Sequence, residues 1–259
     1  SAAYSTVSQD YGKLRHILNV LTPGLVFAAS ASGYGRAITA TVPADVPVVL
    51  TEGQIDGRAT RSFDDLLATV ATAQVDAAHA QVGPDTIAKF LFTSGSTKLP
   101  KGVINTQRMI CANQQQILQC FPGLGQVRPV LVDWLPWNHT FGGNHNVGLT
   151  IYNGGTLYID EGKPTPALVH ETLRNLREIS PTIYFNVPKG LEEIATAMDT
   201  DPALRDRLFA RCRAIMFAGA ALSQAVWDKL HAHAEAAVGD ALGTLSAPGS
   251  RSRVRAQRE

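Results

Sequence analysis

The chain has 259 residues, of which 45% are hydrophobic and 17% are charged, a composition typical of a globular protein with a sizeable core. Its formal net charge of +1 gives no electrostatic basis for binding nucleic acid or an anionic membrane surface. No apolar run approaches the roughly 18 residues of a membrane-spanning helix. Cys111, Cys120 and Cys212 have no metal-ligand or redox spacing and predict free thiols in a reducing compartment, which favours the cytoplasm.

Short apolar or β-branched runs alternate with stretches of helical periodicity. The predicted strands are Leu25–Ala28, Val46–Leu50, Ile87–Phe92, Pro129–Trp134, Gly155–Ile159, Thr182–Asn186 and Ala214–Phe217. The predicted helices are Tyr11–Leu21, Ser62–Thr72, Thr106–Cys120, Asn144–Asn153, Ala167–Ile179, Gly190–Met198, Pro202–Ala210 and Ser223–Val238. This alternation predicts an α/β fold, in which a parallel sheet is covered by helices on both faces.

The segment LFTSGSTKLPKGV, Leu91 to Val103, follows a predicted strand and precedes a predicted helix. Its small, hydroxyl-bearing and cationic residues suit the binding of phosphate groups: Thr93, Ser94, Gly95, Ser96, Thr97, Lys101 and Gly102. Hydroxyls donate to phosphoryl oxygens, glycines expose backbone N–H groups, and the lysine supplies positive charge. The spacing excludes a Walker loop and the Gly-x-Ser-x-Gly frame of a hydrolase. The alternative is a polar connection without a ligand.

A second segment, WLPWNHTFGGNHNVG, begins where a predicted strand ends, which is where parallel sheets bind ligands. Trp134, Trp137 and Phe141 offer flat apolar surface for an aromatic acid. His139 is the titratable group among them, since imidazoles change charge near neutral pH. A histidine packed in the core is the alternative. A metal held by His139 and His145 is disfavoured because no third ligand lies nearby in the sequence, and no metal site is predicted.

A third segment, RAIMFAGAALS, is an apolar strand that ends in Ala218, Gly219 and Ala220. Small residues at the end of a strand allow a flat ring to lie against the backbone. Taken alone, this pattern is weak evidence for a site.

The first of these segments resembles the phosphate-binding signature of the adenylate-forming superfamily, which includes acyl-CoA synthetases, luciferases and peptide-synthetase adenylation domains. Lys98 stands where that signature has glycine. Within the superfamily, LPWNHTFGGNHN, together with GVINTQRM and IYFNVPKG, is most similar to feruloyl-CoA synthases. The similarity runs from Ser1 to about Val238 and implies a partial adenylation domain.

The resemblance implies an acid–CoA ligase that uses ATP, Mg²⁺ and CoA and acts on a hydroxycinnamate such as ferulate, as in hydroxycinnamate degradation. It implies that Lys101 and the loop hydroxyls hold the departing pyrophosphate. His139 would face the acyl carboxylate, with Trp137 and Phe141 in the acyl pocket and the Ala218–Ala220 turn beside pocket and adenine. The alternatives are a fatty-acid or benzoate–CoA ligase, or a truncated remnant without catalytic activity.

The last part of the sequence, residues 239–259, is rich in Gly, Ser and Arg and predicts a disordered basic tail outside the family domain. The resemblance implies three further groups after Val238: a glutamate that holds magnesium, an aspartate on the ribose and a lysine from a lid domain. None is present there. We therefore expect that a natural truncation or a frame slip near Gly239 ends the domain, and that this chain alone does not make an acyl-CoA.

Overall fold

The structure, a computed structural model, describes residues 3–93 and 99–244. The chain divides into two compact units, Ser1–Met109 and Ile110–Glu259. None of the helices in the described part combines the length and apolar character that crossing a bilayer requires. The three cysteines are free thiols, with Cys111 and Cys120 exposed and Cys212 buried.

The first unit contains a small parallel sheet and a hairpin. Its helices are α1 (Ala3–Thr6), α2 (Gly12–Leu21), α3 (Ala31–Thr41), α4 (Phe63–Leu67) and α5 (Ala73–His79). Its strands are β1 (Val26–Ser30), β2 (Val48–Glu52), β3 (Arg61–Ser62), β4 (Ile87–Thr93) and β5 (Lys101–Thr106). Strands β1, β2 and β3 are parallel neighbours, and β2 is buried where it packs on α3 through Ile38, Val48 and Leu50.

The strands β4 and β5 form an antiparallel hairpin, which differs from the prediction of parallel pairing throughout. The prediction treated the chain from Lys101 to Asn105 as a connection, but it forms β5 and the helix begins only at Gln107. Val103 and Ile104 are β-branched residues suited to a strand. The hairpin brings the two ends of the predicted phosphate loop side by side.

The described part of the second unit contains four parallel strands. Its strands are β6 (Val130–Asp133), β7 (Thr156–Ile159), β8 (Ile183–Asn186) and β9 (Ala214–Phe217). Its helices are α6 (Gln107–Cys120, which begins at the end of the first unit), α7 (Gly123–Gln126), a π-helix (Thr140–Asn146), α8 (Val147–Tyr152), α9 (Val169–Glu178), α10 (Pro188–Met198), α11 (Pro202–Phe209) and α12 (Gln224–Thr244).

In the second unit, β6 pairs with β7 and β8 pairs with β9, both in parallel. The two pairs lie side by side, because Thr182 N donates to Val130 O at 2.9 Å just before β8. One face of these strands carries Val132, Tyr184 and Ile215 into a core with α9 to α12. The other face, which includes Leu131 and Phe185, packs on α6, α7 and α8. The predicted parallel sheet with helices on both faces is confirmed here.

Three predicted helices differ from the structure by more than two residues at one end. The helix predicted over Asn144–Asn153 is observed as α8, which begins only at Val147, and the π-helix before it starts at Thr140, where two glycines allow a tight turn. The helix predicted over Ser62–Thr72 ends at Leu67, and Thr69 bonds back to the Asp65 carbonyl through its hydroxyl at 3.1 Å. Helix α12 continues past the predicted end to Thr244. Residues 245–259 of the predicted tail lie outside the described residues.

Candidate functional site

The base of the predicted phosphate loop is set by the register of the hairpin in the first unit. Thr93 is the last residue of β4 and pairs with Lys101, the first residue of β5. Directly paired residues project from the same face of a sheet about 5 Å apart. The Thr93 and Lys101 side chains therefore project from the same face of the hairpin, and both residues are exposed. The other loop residues predicted to contact phosphate, Ser94, Gly95, Ser96 and Thr97, lie outside the described residues, as does Lys98.

Two further contacts shape the hairpin beside this pair. Gly102 pairs with Phe92, and a Cβ atom at Gly102 would lie 3.3 Å from the Phe92 ring, so glycine leaves room for that ring. The buried Pro100 is anchored through its carbonyl oxygen, 3.0 Å from His16 Nε2 on α2. Because the carbonyl only accepts, His16 donates from Nε2. No feature of the sequence pointed to this hydrogen bond.

In the second unit, the π-helix depends on the paired glycines Gly142 and Gly143. A Cβ at Gly142 would lie 2.6 Å from the carbonyl oxygens of Leu135 and Pro136, and one at Gly143 would lie 2.0 Å from that of Trp137. These are backbone atoms, so the clash could not be relieved by rotating a side chain. The glycines therefore allow the chain to fold back on itself directly after His139. Such π-helical turns occur frequently at functional sites.

His139 caps the start of the π-helix with its side chain. Its Nδ1 accepts a hydrogen bond from the backbone N–H of Phe141 at 3.2 Å. A ring nitrogen that accepts carries no proton, so the neutral imidazole is protonated on Nε2. His139 is exposed, so it lies outside the core. This argues against the alternative of a histidine packed in the core. The ring therefore has an Nε2–H donor on an exposed residue.

The aromatic residues of this motif have different surroundings. Trp137 is 51% exposed. Trp134 is half-buried and donates from Nε1 to Asn186 Oδ1 at 3.1 Å. Phe141 is also half-buried and meets Phe185 of β8 nearly edge-on, with ring centroids 6.2 Å apart. Trp137 is thus accessible to a ligand. Phe141 packs on the core through Phe185, and Trp134 connects the ends of β6 and β8 through its bond to Asn186.

The predicted Ala218–Ala220 turn follows β9 directly, as expected. Gly219 has a φ of +94°, a conformation that side chains rarely adopt, which accounts for glycine at this position. Ala218 N donates to Asn186 O at 3.4 Å, and all three turn residues are exposed. Through Asn186, the turn and Trp134 meet at the carboxyl ends of β6, β8 and β9, the edge of a parallel sheet where ligands bind.

Below that edge lies a set of buried polar side chains that the sequence analysis missed: Asp133, Asn146, Asp160, Tyr184 and Asn186. Burial raises the pKa of Asp133, an effect opposed by the neighbouring Asn146 amide. Burial also raises the pKa of the Tyr184 hydroxyl, which accepts from Asn186 Nδ2 at 2.9 Å. Asp160 accepts from Thr172, Asn175 and Gly162. Polar residues at the ends of apolar strands were the available signal.

Within residues 3–93 and 99–244, no group of three or more His, Cys, Asp or Glu side chains is placed to hold a metal ion.

Comparison with known proteins gives the family. The model of the AMP-binding enzyme family matches residues 1–244. The chain belongs to this family. Its members include adenylate-forming CoA ligases, and the α/β fold with parallel sheets flanked by helices is the fold of such enzymes.

Individual relatives are distant. One relative, from Rhodococcus jostii, is a CoA ligase for a propanoyl group that carries a methyl-dioxo-octahydroindenyl ring system. The chain is 27% identical to it over 179 residues, which cover 64% of this chain and 34% of that protein. It is 28% identical over 156 residues to the peroxisomal long chain acyl-CoA synthetase 6 of Arabidopsis thaliana, covering 57% and 21%. The solved structure of ATP-bound MatB from Rhodopseudomonas palustris superimposes with a TM-score of 0.61 at 21% identity, covering 85% of this chain and 40% of that one. The chain thus spans about a third or less of these two curated relatives.

Proposed function

We propose that this chain is part of an acid–CoA ligase that activates an aromatic carboxylic acid, a hydroxycinnamate such as ferulate, with ATP. In the proposed reaction, a carboxylate oxygen of the acid attacks the α-phosphorus of ATP, and the bond to pyrophosphate breaks to leave an acyl-adenylate. The thiol of CoA then attacks the acyl carbonyl, AMP departs, and the thiol proton passes to solvent. The observation that carries the proposal is the N–H donor of His139 beside exposed aromatic surface, in a chain of the AMP-binding enzyme family.

The first unit would bind the triphosphate. Lys101 supplies a positive charge and Thr93 a hydroxyl on the same face of the hairpin, and the hairpin ladder holds both in register. A positioned cation stabilises the negative charge that develops on pyrophosphate as it leaves. Mg²⁺ bound with ATP would neutralise further phosphate charge. The residues Ser94, Gly95, Ser96, Thr97 and Gly102 would complete the phosphate contacts through hydroxyl and backbone N–H donors.

The second unit would bind the acid. The Nε2–H of His139 can donate to a carboxylate oxygen, and a bond to an ionised acceptor is about twice as strong as one between neutral groups. The π-helix holds the ring in this orientation because its Nδ1 is used as the helix cap. Trp137 and Phe141 would line the acyl pocket, and the Ala218–Ala220 turn would admit a flat ring against the backbone.

The aromatic class is proposed from the side chains around His139. Flat rings gain from offset or edge contacts with Trp137 and Phe141 beyond the area that they bury. A straight-chain acid is the second candidate, because one of the relatives is a long chain acyl-CoA synthetase. Comparing the affinity for ferulate, benzoate and octanoate separates these candidates.

The phosphate half is tested by titrating the chain with Mg·ATP. Lys101→Ala should weaken binding roughly tenfold to a hundredfold, because it removes one charge-assisted contact to phosphate. Lys89→Ala is the matched control, since it removes the same charge from the same hairpin at a position away from the loop. This variant should bind Mg·ATP as tightly as the unaltered chain does. If the Lys101 and Lys89 variants bind Mg·ATP equally tightly, Lys101 has no specific role in phosphate binding.

The acid half is tested at His139. His139→Ala should weaken ferulate binding, while His139→Gln, which keeps an N–H donor at a similar reach, should retain most of it. In a longer chain that carries the whole proposed ligase, acid-dependent exchange of pyrophosphate into ATP follows the first chemical step, and Lys101→Ala should reduce it by at least about a hundredfold. If Ala and Gln at position 139 behave alike, the N–H donor has no role.

A further inference from the structure

A second histidine of the motif, His145, lies in an aromatic cluster with Phe141 and Phe185. Its ring meets Phe185 edge-on with centroids 5.0 Å apart, and it meets Phe141 at 5.8 Å. Phe141 and Phe185 are themselves in edge contact. Each ring of the aromatic cluster therefore touches the other two, so the orientation of His145 constrains that of Phe141.

The proton of His145 is placed by its neighbour Asn146. His145 Nδ1 lies 2.8 Å from Asn146 Oδ1. An amide oxygen only accepts, so Nδ1 must carry the proton, and in the neutral ring Nε2 has none. This tautomer is the opposite of that of His139, whose Nδ1 accepts from Phe141 N. One short motif thus holds two histidines in different tautomers.

The Asn146 amide has a second polar neighbour in the Asp133 carboxyl. Asn146 is fully buried and Asp133 is 3% exposed. One carboxylate oxygen of Asp133 accepts from Leu135 N at 3.1 Å. Burial raises the pKa of this carboxyl and Asn146 lowers it, as expected when the amide presents its N–H side to it. Asn146 Nδ2 and Asp133 Oδ2 are both buried, and neither has a hydrogen-bond partner among the described groups. Turning the amide around would set its oxygen against the carboxylate.

We propose that Asn146 is a positioning residue of the acid site: directed by Asp133, it fixes His145 in the Nδ1-protonated tautomer, and the fixed ring holds Phe141 in place for a planar acyl group. The role of Phe141 rests on the proposed function, whereas the tautomer of His145 does not. Polar partners that orient an imidazole through its second nitrogen are a general means of fixing its tautomer.

The tautomer is tested by NMR on the chain with ¹⁵N-labelled histidine rings, at about pH 8.5, well above the ordinary imidazole pKa. The spectrum should show His145 protonated on Nδ1 and His139 protonated on Nε2, so that each serves as reference for the other. Asn146→Leu, which keeps the volume but removes the acceptor, should move the His145 proton to Nε2 and leave His139 unchanged.

A paired substitution guards against loss of folding in that variant. The double variant Asp133→Asn and Asn146→Asp exchanges donor and acceptor, since an amide at 133 donates to a carboxylate at 146 that still accepts from His145 Nδ1. It should restore the Nδ1-protonated form. Asp133→Asn alone should give a mixture, because either direction of the Asn146 amide then finds a partner. His145 protonated on Nε2 in the unaltered chain, or a tautomer that neither Asn146→Leu nor Asp133→Asn changes, would overturn the inference.

The consequence for the acid is measured separately. Asn146→Leu should reduce the preference for ferulate over octanoate, expressed as the ratio of dissociation constants, by about threefold to tenfold, as expected for loss of one ordered aromatic contact. A switched tautomer with an unchanged ratio would overturn the link from His145 to Phe141. If neither acid binds the unaltered chain, the proposed function fails, and the NMR result still decides whether Asn146 sets the tautomer.

Discussion

Replacing Gly143 by alanine should damage the fold around His139 more than any ordinary change of glycine in a helix. The added Cβ would lie 2.0 Å from the Trp137 carbonyl oxygen and 2.9 Å from its carbon. Observed Cβ contacts essentially never fall below 3.0 Å, so the backbone must move by about 1 Å. The Gly143 N–H also donates to the His139 carbonyl oxygen at 2.8 Å. This movement would therefore displace His139, the proposed hydrogen-bond donor to the carboxylate of the acid.

The size of the effect follows from two opposing contributions. Glycine to alanine in a helix usually gains up to about 1 kcal/mol. Overpacking usually costs 1–3 kcal/mol and occasionally more. Because the obstacle here is backbone, we expect a cost of about 4 kcal/mol and therefore a net loss of about 3 kcal/mol. At about 2–4 °C per kcal/mol for a protein of this size, the melting temperature should fall by about 6–12 °C.

The matched control is Gly239→Ala in α12, where a Cβ would meet no atom within 4 Å. This change should leave the melting temperature unchanged or raise it by about 2 °C. Thermal unfolding followed by near-ultraviolet circular dichroism reports both variants, and Trp137 provides a local signal. A Gly143→Ala variant that melts within 1–2 °C of Gly239→Ala would refute the close approach on which the π-helix depends.

Two further predictions concern thiols and pH. Burial raises the pKa of Cys212 to about 12. A thiol reagent at about pH 8 should therefore modify only Cys111 and Cys120 in the folded chain, and all three cysteines in denaturant. Rapid reaction of a third thiol without denaturant would contradict this. Asp199 bonds to Lys229 and His233 on α12, and the Lys229 hydrogen bond is the main cause that lowers its pKa. The contribution of Asp199 to stability should therefore be full above its ordinary pKa of 3.8 and be lost as pH falls through the lowered value. Urea unfolding of Asp199→Asn should differ from the unaltered chain above about pH 4 and converge with it at lower pH, and a constant difference would be evidence against the ion pair.

The sequence predicted the parallel strands of the second unit well, because each is a short run of apolar residues bounded by turns. Ala214–Phe217 has the predicted bounds. Helix α3 was missed because Gly33, Gly35 and two threonines hide its periodicity, although Ser30 caps the helix by accepting a hydrogen bond from Gly33 N. Strand β5 was missed because an antiparallel partner depends on register across a loop, which a local pattern does not contain.

The predicted site residues were recognised from side-chain chemistry at strand ends, and that chemistry is local in sequence. The exposed positions of His139 and Trp137 agree with a role at a surface. Asn146 and Asp133 could not be assigned in the same way, since their importance arises from contact with each other and with His145. Such contacts arise only when the π-helix brings Asn146 close to the end of β6.

The ladder that pairs Thr93 with Lys101 has a consequence for how the phosphate loop could be altered. The ladder fixes both ends through backbone hydrogen bonds, so the identity of the intervening residues, including Lys98, need not move Lys101. A change in length within β5 is different. Successive strand residues point to opposite faces, so inserting one residue between Lys101 and Gly102 would turn the ammonium group away from Thr93 or slide the whole hairpin by one position. A library of loop sequences can therefore change the composition of the loop without moving Lys101, while the spacing within β5 must be kept.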